Sequence, residues 1–268
     1  MDYFCALIYG LIQGLTEFLP VSSSGHLALL PKFLEIKDPG VAFDLAMHVG
    51  TAMAIGLYFL KDIIKMTFDL SLFARRKKSL SEIPYTYNYI VATCCTVVTA
   101  LLFKKVAESY GRGEVFIAMN LAFFGILLAL SDRFCKADSN ISMIKNVELK
   151  KAITIGLVQS FALFPGVSRS GVTITAGRFL NLTREEASRF SFLLSLPLII
   201  GGAILKTPEL IHGPHQMDLG LVVFGIFVSF VIGLLTIHFF LKFIKNVGLV
   251  SFGIYRLILA ALIVYYYI

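Results

Sequence analysis

The chain has 268 residues, 57% of them hydrophobic and 15% charged, with a mean hydropathy of +0.81. These values exclude a soluble domain and describe an integral membrane protein. The net charge of +7 does not point to nucleic acid, because the cations lie between apolar runs, where they act as membrane anchors.

The N-terminus lacks a basic leader and a small-residue cleavage site, so its apolar segment is read as part of the mature fold. Two apolar arms come first, Ala6–Leu19 and Val21–Leu30, hinged at Pro20. At about 1.5 Å per residue, each arm crosses only part of the roughly 30 Å hydrocarbon layer. The hinge removes helix hydrogen bonds, which in lipid must be replaced by protein groups. A re-entrant helix–turn–helix is therefore expected. Full spans follow at 41–60, 86–103 and 114–131. A second hinged pair, Ala152–Phe164 and Val167–Leu180, bends at Pro165-Gly166, and spans follow at 188–205, 219–241 and 249–267. Sustained strand alternation is missing, which favours an all-α polytopic bundle over a β-barrel. Cys5, Cys94, Cys95 and Cys135 lack metal-ligand spacing and are read as free thiols.

The chain is one membrane domain containing a duplication. A shift of 146 residues aligns "GLIQGLTEFLPVSSSG" (Gly10–Gly25) with "GLVQSFALFPGVSRSG" (Gly156–Gly171), with eight of sixteen positions identical. The shared residues include Gln13/Gln159, Ser22/Ser168, Ser24/Ser170 and Gly25/Gly171, which chance similarity of two oily helices would not supply. Repeat one covers about 1–135 and repeat two about 147–268. Three crossings separate the hairpins, so the second repeat is expected to be inverted, with both tips near the midplane. Sixteen cations fall on one side of this topology, including the tract Arg75–Lys78 and Arg133, Lys136, Lys145, Lys150 and Lys151. Six, Lys32, Lys37, Lys104, Lys105, Arg112 and Lys206, fall on the other. The first side is then cytoplasmic, beside anionic lipid, and both termini lie outside.

Each tip opens a helix with Ser-x-Ser-Gly: Ser22, Ser23, Ser24, Gly25 and Ser168, Arg169, Ser170, Gly171. Free N–H groups at a helix start, helped by serine hydroxyls, bind anions, and Arg169 matches a phosphate bidentately. Gln13 and Glu17, four apart on one helical face, can hold a divalent cation together with phosphate oxygens. His26 follows Ser23 at i+3, placing an acid or base beside a hydroxyl. Structural roles compete with these. The outer serines can simply cap helices, Glu17 can pair with Arg169, and Thr173 can bind substrate or bond back to its own helix. Arg256 is either a second anion contact or a structural partner for a buried acid, with structure favoured, and Asp44 and His48 either border the pocket or face a loop.

These residues resemble the bacterial undecaprenyl-diphosphate phosphatases of the bacitracin-resistance type. "QGLTE" (Gln13–Glu17) matches the family's (E/Q)xxxE motif, "PVSSSGH" (Pro20–His26) its serine segment, and "PGVSRSGVT" (Pro165–Thr173) its PGxSRSxxT motif. The resemblance implies hydrolysis of undecaprenyl diphosphate to the monophosphate and inorganic phosphate. It further implies a cell inner-membrane location, carrier recycling for peptidoglycan, bacitracin resistance and a divalent cation, Mg²⁺ or Ca²⁺. It carries essential roles onto Glu17, Ser23, His26, Arg169 and Thr173. Gln13 stands where many members have glutamate. Whether Ser23 is the nucleophile or an activated water attacks is left open, as is flipping of undecaprenyl phosphate instead of hydrolysis.

Overall fold

The computed structural model describes residues 2–33, 35–36, 38–110, 113–135, 146–212 and 218–267. Lys37, Arg112, Lys136 and Lys145 of the charge pattern lie outside these residues. Among the described residues the fold is all helix. The first repeat contains α1 (Tyr3–Thr16), α2 (Ser23–Phe33), α3 (Val41–Tyr58), α4 (Leu60–Ala74), α5 (Pro84–Tyr110) and α6 (Glu114–Phe134). The second contains α7 (Leu149–Gln159), α8 (Arg169–Phe179), α9 (Arg184–His212), α10 (Leu219–Val247) and α11 (Val250–Tyr267). Short 3₁₀ turns occupy Leu80–Glu82 and Ser160–Leu163.

The two hinged pairs form as expected, α1 with α2 and α7 with α8. The helices α5, α6, α9, α10 and α11 are each long and apolar enough to cross a bilayer. The expected span at 41–60 and the loop after it are corrected. The chain bends by 75° at Phe59 and continues as α4, so 61–74 is helix. Lys61 and Lys65, two of the sixteen cations, read as loop charges in the sequence. In the structure they share a helix with exposed Ile64 and Phe68 and with buried Met66 and Asp69. Amphipathic packing of that kind is invisible to a count of charges.

The burial pattern suits a hydrocarbon solvent. Large apolar side chains such as Leu101, Leu102, Phe123, Phe227 and Ile258 face outward, whereas Gln13, Ser22, Gln159, Thr173 and Arg256 are buried. The helices meet in a repeating pattern. α1 packs on α10 and α7 on α5, while α3 meets α9 and α6 meets α11. Duplicated glycines make the first two contacts possible. A Cβ on Gly10 would lie 2.8 Å from the Gly225 carbonyl oxygen, and one on Gly156 would lie 2.4 Å from that of Ala92. At one end of the bundle Asp132 collects four elements. It accepts from Arg184 Nε at 2.7 Å and Nη2 at 3.0 Å and from the Leu249 N–H at 2.8 Å, with Arg178 at 3.3 Å.

Gly156→Ala is expected to destabilise the protein by about 1–3 kcal/mol, because backbone must move to admit the methyl group. Gly56→Ala, where nothing lies within 4 Å, is expected to be neutral or stabilising by up to about 1 kcal/mol. Thermal unfolding of both variants in detergent checks the contrast; equal effects would contradict the close approach of α7 to α5.

Candidate active site

The site begins at the two hinges. Ser22 and Ser168, equivalent in the repeats, have φ of 77° and 71°, a left-handed conformation rare for serine. Each then caps the helix that follows. Ser22 Oγ accepts from the Gly25 N–H at 3.3 Å, and Ser168 Oγ accepts from the Gly171 N–H at 3.0 Å. Ser22 and Ser24 share a hydroxyl contact of 3.3 Å, and Ser168 and Ser170 one of 3.4 Å. The duplicated motif thus builds the same cap twice. A Cβ on Gly171 would meet Arg256 Nη1 at 2.8 Å, which accounts for glycine there.

Arg256 joins the two tips. It is fully buried and donates to the carbonyls of Pro20, Leu121, Asn120, Gly166 and Val167 at 2.9–3.3 Å. These include carbonyls that the hinges strip of helix partners, so Arg256 is placed structurally, but on backbone carbonyls and not on the buried acid expected. Asn120 holds the Pro165 carbonyl at 2.7 Å, and Ser170 Oγ donates to the Leu19 carbonyl of the other tip at 3.2 Å.

The variable position of each Ser-x-Ser-Gly motif, Ser23 in one and Arg169 in the other, turns to a single carboxylate. Glu17 Oε2 accepts from Ser23 Oγ at 2.7 Å and from Gln13 Nε2 at 3.0 Å, and Glu17 Oε1 accepts from Arg169 Nη2. The sequence leaves His48 at the pocket border, but the structure puts its Nε2 3.4 Å from Glu17 Oε2. His48 Nδ1 must donate to the Asp44 carbonyl, 2.8 Å away, because a carbonyl can only accept. A helical i+4 pair, Asp44 and His48, would have flagged this residue had the face of α3 been known.

A cleft of about 250 Å³ opens beside this cluster, lined by Ser23, Ser24, His48, Gln159, Ser168 and Arg169 together with apolar residues of α3, α5 and α9. An apolar groove of about 370 Å³ along α10 has almost no polar atoms to do chemistry. A polar cavity of about 260 Å³ beside α4 is crossed by closed ion pairs, Asp62–Arg189 at 3.1 Å and Asp69–Lys78 at 2.9 Å.

Two expected contacts take a different form. His26 does not face Ser23: its Nδ1 lies 2.8 Å from the Ser22 carbonyl, its Nε2 lies 2.7 Å from Tyr255 Oη, and its ring stacks on that of Tyr255. Spacing of i+3 aligns residues along a helix, but Ser23 is the first residue of α2 and its side chain swings back across the hinge to Glu17. Thr173 is buried, with its hydroxyl committed to the Arg169 carbonyl at 2.8 Å and Ser191 Oγ at 2.6 Å. It braces the turn that carries Arg169. The remaining cap residues, Ser22, Gly25 and Gly171, are buried and shape the tips from within. The donors near Glu17 suit a divalent cation in kind, a carboxylate plus the buried Gln13 Oε1, which has no hydrogen-bond partner among the described residues.

A family model described as bacitracin resistance protein BacA matches residues 6–262. An undecaprenyl-diphosphatase of Alcanivorax borkumensis is 41% identical to this chain, covering 99% of each. Proteins of the same name from Marinobacter nauticus and Idiomarina loihiensis are each 40% identical, covering 98% of both chains. The chain belongs to the bacitracin-resistance (BacA) family.

Arg256→Met removes every one of those guanidinium contacts and leaves buried carbonyls at about 1–3 kcal/mol each. It is expected to lower the melting temperature in detergent by more than about 5 °C, with Arg256→Lys falling between it and wild type. An unshifted melting temperature for Arg256→Met would show that the tips hold together without it.

Proposed function

We propose that this membrane protein hydrolyses undecaprenyl diphosphate to undecaprenyl phosphate and inorganic phosphate. The observation that carries this reading is the convergence of Arg169, Ser23 and two serine-capped helix starts on one cleft beside Glu17. Family membership and the names of the relatives support the same substrate. The early N–H groups of α2 and α8 and the Arg169 guanidinium supply donors for a diphosphate within a largely apolar protein. A lipid-linked headgroup would reach them without its tail leaving the bilayer.

In the proposed reaction Ser23 Oγ attacks the terminal phosphorus. A P–O bond forms, the bridging P–O bond breaks, and its electrons leave with undecaprenyl phosphate. The serine proton passes to Glu17, the only carboxylate that faces this hydroxyl among the described residues. Water then attacks the phosphoserine, the P–Oγ bond breaks, and the proton returns to Ser23. Arg169 exchanges its contact with Glu17 for the phosphate oxygens, and Gln13 and Thr173 keep the carboxylate and the arginine in register. His26, paired with Tyr255, acts on the backbone of the first tip through the Ser22 carbonyl. A divalent cation, Mg²⁺ or Ca²⁺, held by Glu17 with Gln13 and completed by phosphate oxygens, would neutralise charge on the diphosphate.

The same reading includes an inverted relation between the repeats, supported by the paired contacts α1–α10 and α7–α5. It also places the protein in the cytoplasmic (inner) membrane of a bacterium, with the basic ends of the helices in the cytoplasm and both termini outside.

Purified protein in detergent is expected to release phosphate from undecaprenyl diphosphate, and a chelator is expected to abolish the release. Glu17→Ala and Arg169→Ala are each expected to lose at least about 10²-fold in kcat. Ser23→Ala is expected to be inactive, with acid-quenched wild type carrying phosphoserine at Ser23. No release by folded wild type across a range of divalent cations would refute the hydrolase.

A further inference from the structure

One buried polar group in the cleft has no role in the steps above. Gln159 occupies in α7 the position that Gln13 holds in α1, and it is 1% exposed. Its Nε2 donates to Thr96 Oγ1 at 3.3 Å, while its Oε1 has no hydrogen-bond partner among the described residues. The orientation of this amide follows from chemistry. The single Thr96 hydroxyl proton is directed at the carbonyls of Ala92 and Gly156, at 2.9 and 2.8 Å, so Thr96 can only accept from Gln159. Turning the amide over would set two oxygens against each other. Oε1 is therefore held as a buried acceptor on a side chain that lines the cleft with Ser23 and Arg169.

An unpaired buried acceptor is unfavourable unless the contents of the cleft supply a donor. Phosphate oxygens are acceptors and would be repelled. A cation has its place at Glu17 and Gln13 instead, whereas the residues that line the cleft include Arg169 and no carboxylate. Water meets both demands, since it can donate to Oε1 and keep a lone pair for phosphorus. The volume of about 250 Å³ leaves room for several waters, at about 30 Å³ each, beside a diphosphate. We propose that Gln159, anchored by Thr96, orients the lytic water of this enzyme. The amide takes no proton. The water oxygen bonds to phosphorus as the P–Oγ bond of phospho-Ser23 breaks, Glu17 returns its proton to Ser23 Oγ, and both water protons leave on inorganic phosphate. This assignment rests on the phosphatase reading.

The test is steady-state and quenched-flow hydrolysis of undecaprenyl diphosphate by wild type, Gln159→Met, Thr96→Val and Thr96→Ser. Gln159→Met is expected to lower kcat by about 10²-fold, with KM within about threefold of wild type and phosphoserine accumulating at Ser23. Thr96→Val frees the amide and is expected to lose about tenfold in kcat, while Thr96→Ser keeps wild-type rates. Thr96→Val serves if Gln159→Met does not fold. Wild-type kcat in the folded Gln159→Met variant, or a rise in KM with kcat unchanged, would overturn the assignment and leave the phosphatase intact. Inactivity of folded wild type would instead remove the reading beneath it.

Discussion

The fold depends on a buried guanidinium. Two prolines break two hairpins inside a protein surrounded by lipid, and each break strands backbone carbonyls where no water can serve them. Arg256 answers both at once, since it reaches Pro20 in one tip and Gly166 and Val167 in the other. Its planar fork of donors can satisfy several carbonyls in different directions, which an ammonium with three donors cannot do as well. Because one side chain serves both hinges, it fixes their separation. Ser23 and Ser24 of one tip and Ser168 and Arg169 of the other then face a common cleft as a consequence of that tie.

Glu17 is the second focus, and it draws its partners from elements far apart in the chain. Ser23 comes from the opposite side of the hinge, Arg169 from the second repeat, and His48 from α3. A carboxylate buried with a guanidinium is held strongly only when its other lone pairs are also met, and Gln13 and Ser23 meet them. The duplicated motif explains how this arose on a symmetric frame. The caps are retained in both copies, while the residue between the cap serines is a hydroxyl in one copy and a cation in the other. Near-symmetry brings Ser24 and Ser168 to one cleft, and the asymmetric pair, Ser23 and Arg169, meets on Glu17.

Sequence reasoning succeeded where chemistry is local and failed where direction matters. The caps, the hinges and the intramembrane Glu17 and Arg169 follow from residue types and spacing. His26 illustrates the failure: a correct spacing to Ser23 met the end of a helix, where side chains no longer share a face. Helix α4 illustrates another, since Lys61 and Lys65 read as loop while Met66 and Asp69 bury the inner side of a helix. Thr173 carries a family motif but spends its hydroxyl on Ser191, 18 residues away, a contact no spacing predicts.

Composition and hydropathy alone determined that this is a helical membrane protein, because only a chain rich in long apolar runs is compatible with hydrocarbon. The duplication and the serine caps of its tips were equally legible, since they reside in contiguous motifs. Tertiary structure alone decided that Ser23 turns to Glu17 rather than His26, that His48 approaches Glu17, that Arg256 ties both hinges, and that Gln159 donates to Thr96. Each of these is a side-chain direction across a hinge or between different helices. Such directions depend on how the helices pack and which donors are already taken, and no periodicity within one segment encodes them.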